Sequence, residues 1–225
     1  MTLDRDAVLA GIPAELADFG TLVGSLSPDD LELPTRCEGW TVAHVAGHVI
    51  GTVVDLTEGR LQGQGTPEVT YRQANERAGR TAAVLADELS TATPALTTLL
   101  ASLPAEAWDG PSLTGADYTL GFAIEAIWYD AYVHADDIRA TFGTPPTRGP
   151  GLSCAVQHVA GYLEHRGVAL SLNLDGLAPI EVHGGGPVVT GDPHQFLLLA
   201  TGRADPGALG LMPTINVYSD LTAQS

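Results

Sequence analysis

The sequence predicts a mainly α-helical α+β protein, in which a four-helix bundle precedes a small α+β lobe. Four long segments in the first part of the chain carry apolar residues at helical spacing. The stretch GTPPTRGPG, rich in proline and glycine, then separates them from the rest. Short runs beyond it, broken by glycine, are typical of strands. We therefore expect a bundle domain over residues 1–146 and a small α+β domain over residues 147–225.

The first two helices follow from apolar periodicity and from stop signals. The first is expected over about residues 4–26, with a break or kink at Pro13 because proline lacks a backbone N–H. The second is expected over about residues 41–58. Thr41 is a suitable N-cap there, and Gly59 a suitable C-terminal stop.

The third and fourth helices complete the predicted bundle. A long helical pattern covers residues 68–103, and Pro94 should kink it. The fourth helix covers about residues 119–142 and ends at Gly143, shortly before two prolines. Bundle cores commonly hold metal sites built from facing helices, so polar groups on the inward faces are the candidates for function.

The last part of the chain mixes both kinds of structure. Residues 152–166 are expected to form a helix. The segments VALSLNL, PIEVHG and PVVTG have strand character, and TINVYSD is a candidate for a last strand. In DPHQFLLLATGR, a helix is expected with Asp192 as N-cap and Pro193 at its first position.

The composition excludes several classes of function. The chain has 225 residues and a formal charge of −17, so its surface should repel nucleic acid and anionic membranes. All ten basic residues are arginine, which excludes a Schiff-base lysine, a pyridoxal-phosphate anchor and a Walker A loop. We expect a small-molecule substrate, and the sequence leaves a monomer and a homodimer equally open.

The cellular location is predicted from what the sequence lacks. The stretch MTLDRDAVLA is not a secretory signal, since no basic region is followed by an apolar one. Two cysteines make no disulfide framework, and no apolar run in the sequence is expected to span a membrane. These observations predict a reduced, cytoplasmic protein.

Polar residues interrupt the apolar faces of the second and fourth helices. Asp130 and His134 are four residues apart, so their side chains meet on one face of the fourth helix. His44 and His48 have the same spacing on the second helix. A His, His, Asp set of His48, Asp130 and His134 would leave an open position on a divalent metal. Zinc suits these ligands, and iron(II), nickel and manganese are not excluded by ligand type. The alternatives are a hydrogen-bonded core histidine, a simple Asp–His salt link, and His44 as the ligand.

Three motifs carry a family resemblance. The stretch TRCEGWTVAHVAGHVIG, residues 35–51, joins a Gly-Trp-Thr-Val helix start to His48. On the fourth helix Asp130, His134 and Asp137 follow in order, and VVTGDPHQFLLLATGRAD ends in a Thr-Gly-Arg sequence. Together they resemble the mycothiol-dependent maleylpyruvate isomerase family of the DinB-like superfamily.

The resemblance implies a DinB-like four-helix bundle with a divalent metal, usually zinc, on the residues that match His48, Asp130 and His134. It also implies mycothiol, the low-molecular-weight thiol of actinobacteria, as cofactor or cosubstrate. Two positions depart from the family pattern. The family's characterised isomerase has Glu where this chain has Asp130, and relatives often have Asp at the position of His44.

The implied chemistry begins with a metal that binds the mycothiol sulfur and lowers its pKa. The thiolate adds to a small electrophile, and the outcome is cis–trans isomerisation or, if the adduct is released, S-transfer. His48 is then catalytic through the metal, and Arg203 is the candidate to bind a carboxylate. Arg77 and Arg80 are further candidates for binding the cofactor, with a solvated surface as the alternative.

Other interpretations stay open at this stage. Asp137 either orients His134 or His48 or is a surface acid, and Arg203 either serves the site or caps a helix end. Cys37 is interpreted as a small loop hydrophobe. A metal-dependent hydrolase or biosynthetic enzyme without thiol, and a non-catalytic bundle that binds a metal or small molecule, are the alternative functions.

Overall fold

The mainly helical α+β class predicted from the sequence is confirmed. The computed structural model describes residues 3–114, 117–205, 207 and 215–218. Its contacts divide the chain into two compact units, Leu3–Thr147 and Arg148–Ser225. We propose that these units are the two domains expected from the sequence.

The first unit is helical. Its elements are α1 (Arg5–Gly24), α2 (Pro28–Leu31), α3 (Val42–Thr57), α4 (Pro67–Asn75), α5 (Ala82–Ser102), a 3-10 helix (Ala105–Asp109) and α6 (Leu120–Thr141). Helix α1 packs against α5 and α6, whereas α3 packs against α4, α5 and α6. Helices α3 and α6 are the second and fourth predicted helices, and their contact brings their polar residues together.

The prediction of one long third helix over residues 68–103 is wrong in one respect, because this segment forms two helices, α4 and α5. Residues 76–81 separate α4 from α5, and Gly79 lies there with a φ of 75°, a conformation that favours glycine. Helix α5 starts anew after Thr81, whose side chain accepts a hydrogen bond from the N–H of Val84. Apolar periodicity alone does not register such a break.

Neither proline breaks its helix, and a kink at Pro13 or at Pro94 stays a prediction. Pro13 and Pro94 lie inside α1 and α5, which continue through them. Each proline removes one backbone hydrogen bond, but buried neighbours hold the helix in place. Ile12 and Leu16 flank Pro13, and Leu96 follows Pro94.

Helix α1 is long and apolar enough, by length and composition, to span a membrane. No apolar run of this kind was expected from the sequence, so this helix is a difference from that expectation by length and composition only. One face of α1 is nevertheless buried in the first unit, at Val8, Ile12, Leu16, Phe19 and Val23. Core helices of soluble proteins satisfy the same criterion, so the finding is weak evidence for a membrane span.

The second unit contains α7 (Pro150–His165), β1 (Leu170–Leu174), β2 (Ile180–Val182), β3 (Val188–Gly191) and α8 (Pro193–Ala200). The sheet order is β2-β1-β3, with β1 antiparallel to β2 and parallel to β3. Asp192 caps α8 by accepting from the N–H of His194, as predicted. The described residues of TINVYSD, 215–218, form no strand, and the others lie outside the described residues.

Two glycines let α4 approach α3 closely. A Cβ added to Gly51 would lie 2.5 Å from the Cβ and 2.8 Å from the Cγ of Gln73. A Cβ added to Gly47 would lie 3.0 Å from the backbone oxygen of Ala74. The contacts at Gly51 are too short for a real side chain, and the contact at Gly47 is tighter than nearly all real ones, so the glycines allow Gln73 to reach α3.

Gly51→Ala is therefore expected to lower the free energy of unfolding by about 1–3 kcal/mol, since overpacking outweighs a gain of about 1 kcal/mol in helix propensity. Urea denaturation measures the change. Gly20→Ala on α1 is the matched control, because its Cβ would meet Leu89 at an ordinary 3.6 Å. Equal stability changes in the two variants would contradict the close-packing explanation.

Candidate metal centre

His48 of α3 and the pair Asp130 and His134 of α6 meet in the first unit. The Nε2 atom of His48 is 3.3 Å from Oδ2 of Asp130, and Nε2 of His134 is 3.4 Å from Oδ1 of Asp130. Each residue offers one ligand atom, and the three atoms lie within 4.8 Å of one another. The carboxylate thus faces both imidazoles.

The distances between these atoms fit a metal. Ligands placed about 2.0–2.1 Å from a tetrahedral zinc ion lie about 3.3–3.4 Å apart. The two N–O distances, 3.3 and 3.4 Å, are close to this value, each with a different oxygen of Asp130, and they exceed the length of a charge-assisted hydrogen bond. Asp130 also reaches both histidines, although it is one methylene shorter than the Glu that the resemblance implies. The residues therefore fit a divalent cation.

A second group of potential ligands, Cys37, His134 and Asp137, has different distances. His134 Nδ1 donates to Oδ2 of Asp137 at 2.8 Å, and Cys37 Sγ donates to the same oxygen at 3.1 Å. Arg36 donates to the other oxygen, Oδ1, at 2.6 Å. These are hydrogen-bond lengths, and a cation here would lie close to a guanidinium. We interpret these residues as a hydrogen-bonding network that holds the ring of His134. Asp137 thus orients His134 and not His48.

The other imidazole has a partner that the sequence analysis missed. His48 Nδ1 lies 2.9 Å from Oε1 of Gln73, on α4. The amide nitrogen of Gln73 donates to Asp55 at 2.7 Å, and Asp55 also accepts from Arg60 and Arg72. Asp55 interrupts the apolar run VVDL of α3, and that is the signal in the sequence that could have revealed it.

The charges of this cluster shift the pKa values of Asp130 and His134. Burial alone would raise the pKa of Asp130, but the neighbouring charges of His48 and His134 outweigh it and hold the pKa well below its usual value. Burial would lower the pKa of His134, but Asp130 and the hydrogen bonds from its other neighbours raise it well above 6.5. These shifts favour an ionised Asp130 with positive charge beside it, supplied by a proton on an imidazole or by a metal.

His44 lies outside the cluster. Its Nδ1 atom accepts a hydrogen bond from the backbone N–H of Thr41 at 3.2 Å, at the start of α3. The alternative that His44 replaces His48 as ligand is therefore not supported by the geometry. Trp40 packs against the His48 ring, with centroids 5.7 Å apart, and also against Tyr71.

Arg77 and Arg80 were expected on the third helix. They lie instead in the turn between α4 and α5. Arg77 is only 3% exposed in its side chain and donates to both carboxylate oxygens of Glu88, at 2.7 and 3.1 Å. Arg80 donates to the same carboxylate at 2.6 Å. Arg77 is thus no solvated surface residue. A cofactor-binding role for either arginine stays a prediction.

Arg203 belongs to the second unit and follows α8. Its guanidinium donates to the backbone carbonyl of Thr201 at 3.4 Å. Its role in catalysis or in cofactor binding stays a prediction.

An open cavity of about 500 Å³ lies elsewhere in the first unit. Its wall includes Arg60, Arg72 and Glu76, but none of the three residues of the cluster. Because both arginines pair with Asp55, we assign no ligand to this cavity.

Comparison with known proteins decides the family. A sequence model of the mycothiol maleylpyruvate isomerase N-terminal domain matches residues 12–139, more than half of the chain. The chain belongs to this family. The resemblance found in the sequence is therefore confirmed, and the matched residues include His48, Asp130 and His134. No curated protein matches the sequence.

Two solved structures have a similar fold. One is a crystal structure of the mycothiol-dependent maleylpyruvate isomerase, with a TM-score of 0.63, 18% identity and 90% of each chain covered. The other is a histidine-to-alanine mutant of that isomerase, with a TM-score of 0.60 and the same identity and coverage. At this identity the likeness establishes the DinB-like fold, which the family resemblance had implied.

Proposed function

We propose that this member of the family is a divalent-metal enzyme that uses mycothiol to isomerise a small electrophile with a cis double bond. The observation that carries the proposal is the meeting of His48, Asp130 and His134, at distances that fit zinc, inside the range matched by the family. A cation held there would supply charge to stabilise a thiolate at neutral pH.

The chain's own residues prepare the site for that cation. His48 and His134 present Nε2 to the site, while their Nδ1 atoms face Gln73 and Asp137. Asp130 contributes one negative charge, and two neutral imidazoles contribute none. With a divalent cation the net charge of the site would be about +1, which attracts a thiolate. Asp137 fixes the ring of His134 from behind.

The proposed reaction follows from the chemistry of a conjugated cis alkene. The thiol sulfur forms a bond to one alkene carbon, and the electron pair of the double bond moves to the adjoining carbonyl. The remaining single bond rotates, and loss of the same sulfur restores the double bond as the trans isomer. If the adduct instead takes up a proton and leaves, the product is an S-conjugate, so S-transfer is the second outcome to measure.

The partners are part of the proposal. We propose a small-molecule substrate and a cytoplasmic location. We also propose no nucleic-acid or membrane partner, since a charge of −17 opposes binding to polyanions. Arg203 is proposed to bind an anionic group of the substrate or cofactor, as a guanidinium can hold a carboxylate with two hydrogen bonds.

The test is metal analysis followed by thiol binding. We expect purified protein to hold about one divalent cation per chain, and metal-loaded protein to bind mycothiol in calorimetry. Maleylpyruvate is the first substrate to assay, with mass spectrometry to separate isomer from S-conjugate. Protein that takes up no metal would contradict both enzyme interpretations. Metal-loaded protein that ignores mycothiol would favour a hydrolase or biosynthetic enzyme without thiol.

A further inference from the structure

We propose that Gln73 is a positioning residue for His48, which holds a proton on Nδ1 and so makes Nε2 the nitrogen that is available to a metal. The inference rests on the proposed metal function and adds a residue that no motif indicated. His48 Nδ1 and Gln73 Oε1 are 2.9 Å apart, and both residues are buried, with 7% and 1% exposure.

The surroundings of Gln73 fix which end of its amide faces His48. Its nitrogen donates to Oδ2 of Asp55 at 2.7 Å and to Oε1 of Gln64 at 3.0 Å. An ionised carboxylate only accepts hydrogen bonds, so the NH₂ group of Gln73 must face Asp55. The amide oxygen therefore faces His48, and it also accepts from Thr52 at 3.3 Å.

The orientation of Gln64 agrees with this assignment. Its own NH₂ group donates to the backbone oxygen of Arg60 at 2.8 Å and to Oδ2 of Asp55 at 3.2 Å. The oxygen of Gln64 is then the atom that faces Gln73. Two independent acceptors thus point the nitrogen of Gln73 away from His48.

The proton on His48 follows from the orientation of the amide. Because Gln73 Oε1 can only accept, the nearby Nδ1 of His48 must carry a proton. A neutral imidazole has one proton, so Nε2 keeps its lone pair and is the nitrogen able to bind a metal. The Nδ1 atom of His134 likewise faces an acceptor, Asp137, whose charge Arg36 balances.

The first variant removes the acceptor without shortening the side chain. Gln73→Met is expected to weaken zinc binding roughly 10- to 100-fold, as loss of an outer hydrogen-bond partner does in metal sites. It should also abolish the hydrogen-bonded Nδ1–H resonance of His48 in zinc-free protein labelled at histidine nitrogens. Zinc affinity is measured by titration against a competing chelator.

The matched control makes the same change at Gln64. Gln64→Met removes an amide from the same network, but Gln64 contacts Asp55, Arg60 and Gln73 rather than His48. The zinc Kd and the His48 resonance should both stay as in the wild type. A loss equal to that in Gln73→Met would overturn the proposal, since general loosening of α4 would then explain it.

A second variant separates positioning from stability. Gln73→Glu keeps an acceptor for His48 but places a second carboxylate beside Asp55, where like charges repel. We expect zinc affinity close to that of the wild type together with a lower midpoint of urea unfolding. If Gln73→Glu weakens zinc binding as much as Gln73→Met is expected to, the proposal is wrong. This measurement remains possible if Gln73→Met fails to fold.

The wild type itself provides the last measurement. If zinc-free wild-type protein carries the His48 proton on Nε2 alone, the proposal is wrong whatever the variants do. Wild-type protein that binds no zinc would instead refute the proposed metal function. The proton position in that zinc-free protein would still decide the role of Gln73, so the two failures are distinguishable.

Discussion

Replacing His48 with alanine is expected to abolish metal retention and leave the bundle folded. His48 supplies one of three protein ligands, so its loss should weaken zinc binding by more than the roughly 10- to 100-fold that an outer partner costs. The fold should survive, because the surrounding surface of α3 is already apolar and well packed. We expect a loss of about 1–2 kcal/mol in the free energy of unfolding. Elemental analysis of dialysed protein and urea denaturation measure the two effects.

His44→Ala is the matched control, since it makes the same change one helical turn earlier. His44 accepts from the N–H of Thr41 and lies outside the cluster. That variant should lose about 0.5–2 kcal/mol of stability, as expected for a weakened helix start, and retain its metal. If His48→Ala binds metal as tightly as wild type, the ligand set of His48, Asp130 and His134 is wrong.

Asp55→Ala is expected to destabilise the first unit strongly without replacing any of the three candidate ligands. Asp55 is fully buried, and its carboxylate accepts from Arg60, Arg72, Gln73 and Gln64. Removing one partner of a buried ion pair costs about 3–5 kcal/mol. The side chains of Arg60 and Arg72 are 44% and 35% exposed and can regain water, so we expect about 3 kcal/mol. Urea denaturation near neutral pH measures the loss.

The pH dependence tests whether charge explains that loss. Burial would raise the pKa of Asp55, but hydrogen bonds from Arg72, Gln73, Arg60 and Gln64 outweigh it and lower the pKa. A lowered native pKa means that the stabilisation is complete above the unfolded value of about 3.9 and declines as pH falls towards the native value. The difference between wild type and Asp55→Ala should therefore shrink below about pH 4.

The control for Asp55→Ala is Asp87→Ala, at an exposed position on α5. Surface substitutions of this kind change stability by less than about 0.5 kcal/mol, at neutral or acidic pH. A wild-type advantage over Asp55→Ala that stays constant down to the acid transition would show that packing, and not charge, is the cause.

The helices that hold the candidate ligands were predictable because their local signals agree. In α3 and α6, a threonine precedes the helix, apolar residues recur at helical spacing, and stop signals follow. The long third pattern failed because residues on both sides of the turn at Gly79 remain in phase. Periodicity reports which residues are buried, whereas the break depends on backbone conformation at a few positions.

The supporting residues were not predictable in the same way. Gln73 lies 25 residues after His48 in sequence, and Arg36 lies about 100 residues before Asp137. Their roles depend on how helices pack, and Gly47 and Gly51 set that packing by allowing α4 to approach α3. No spacing rule within one helix describes such pairs, because i,i+4 contacts are local.

The helical bundle, the small α+β lobe, the family and the three residues able to form a His, His, Asp set could all be predicted from the sequence. The packing of the helices brings these three together, lets Asp130 reach both imidazoles, and places Asp137 and Gln73 against their outer nitrogens. The physical reason is the distance along the sequence between the residues that determine each feature. Helix formation and amphipathicity are set by residues a few positions apart, whereas ligand distances are set by close packing between helices far apart in sequence.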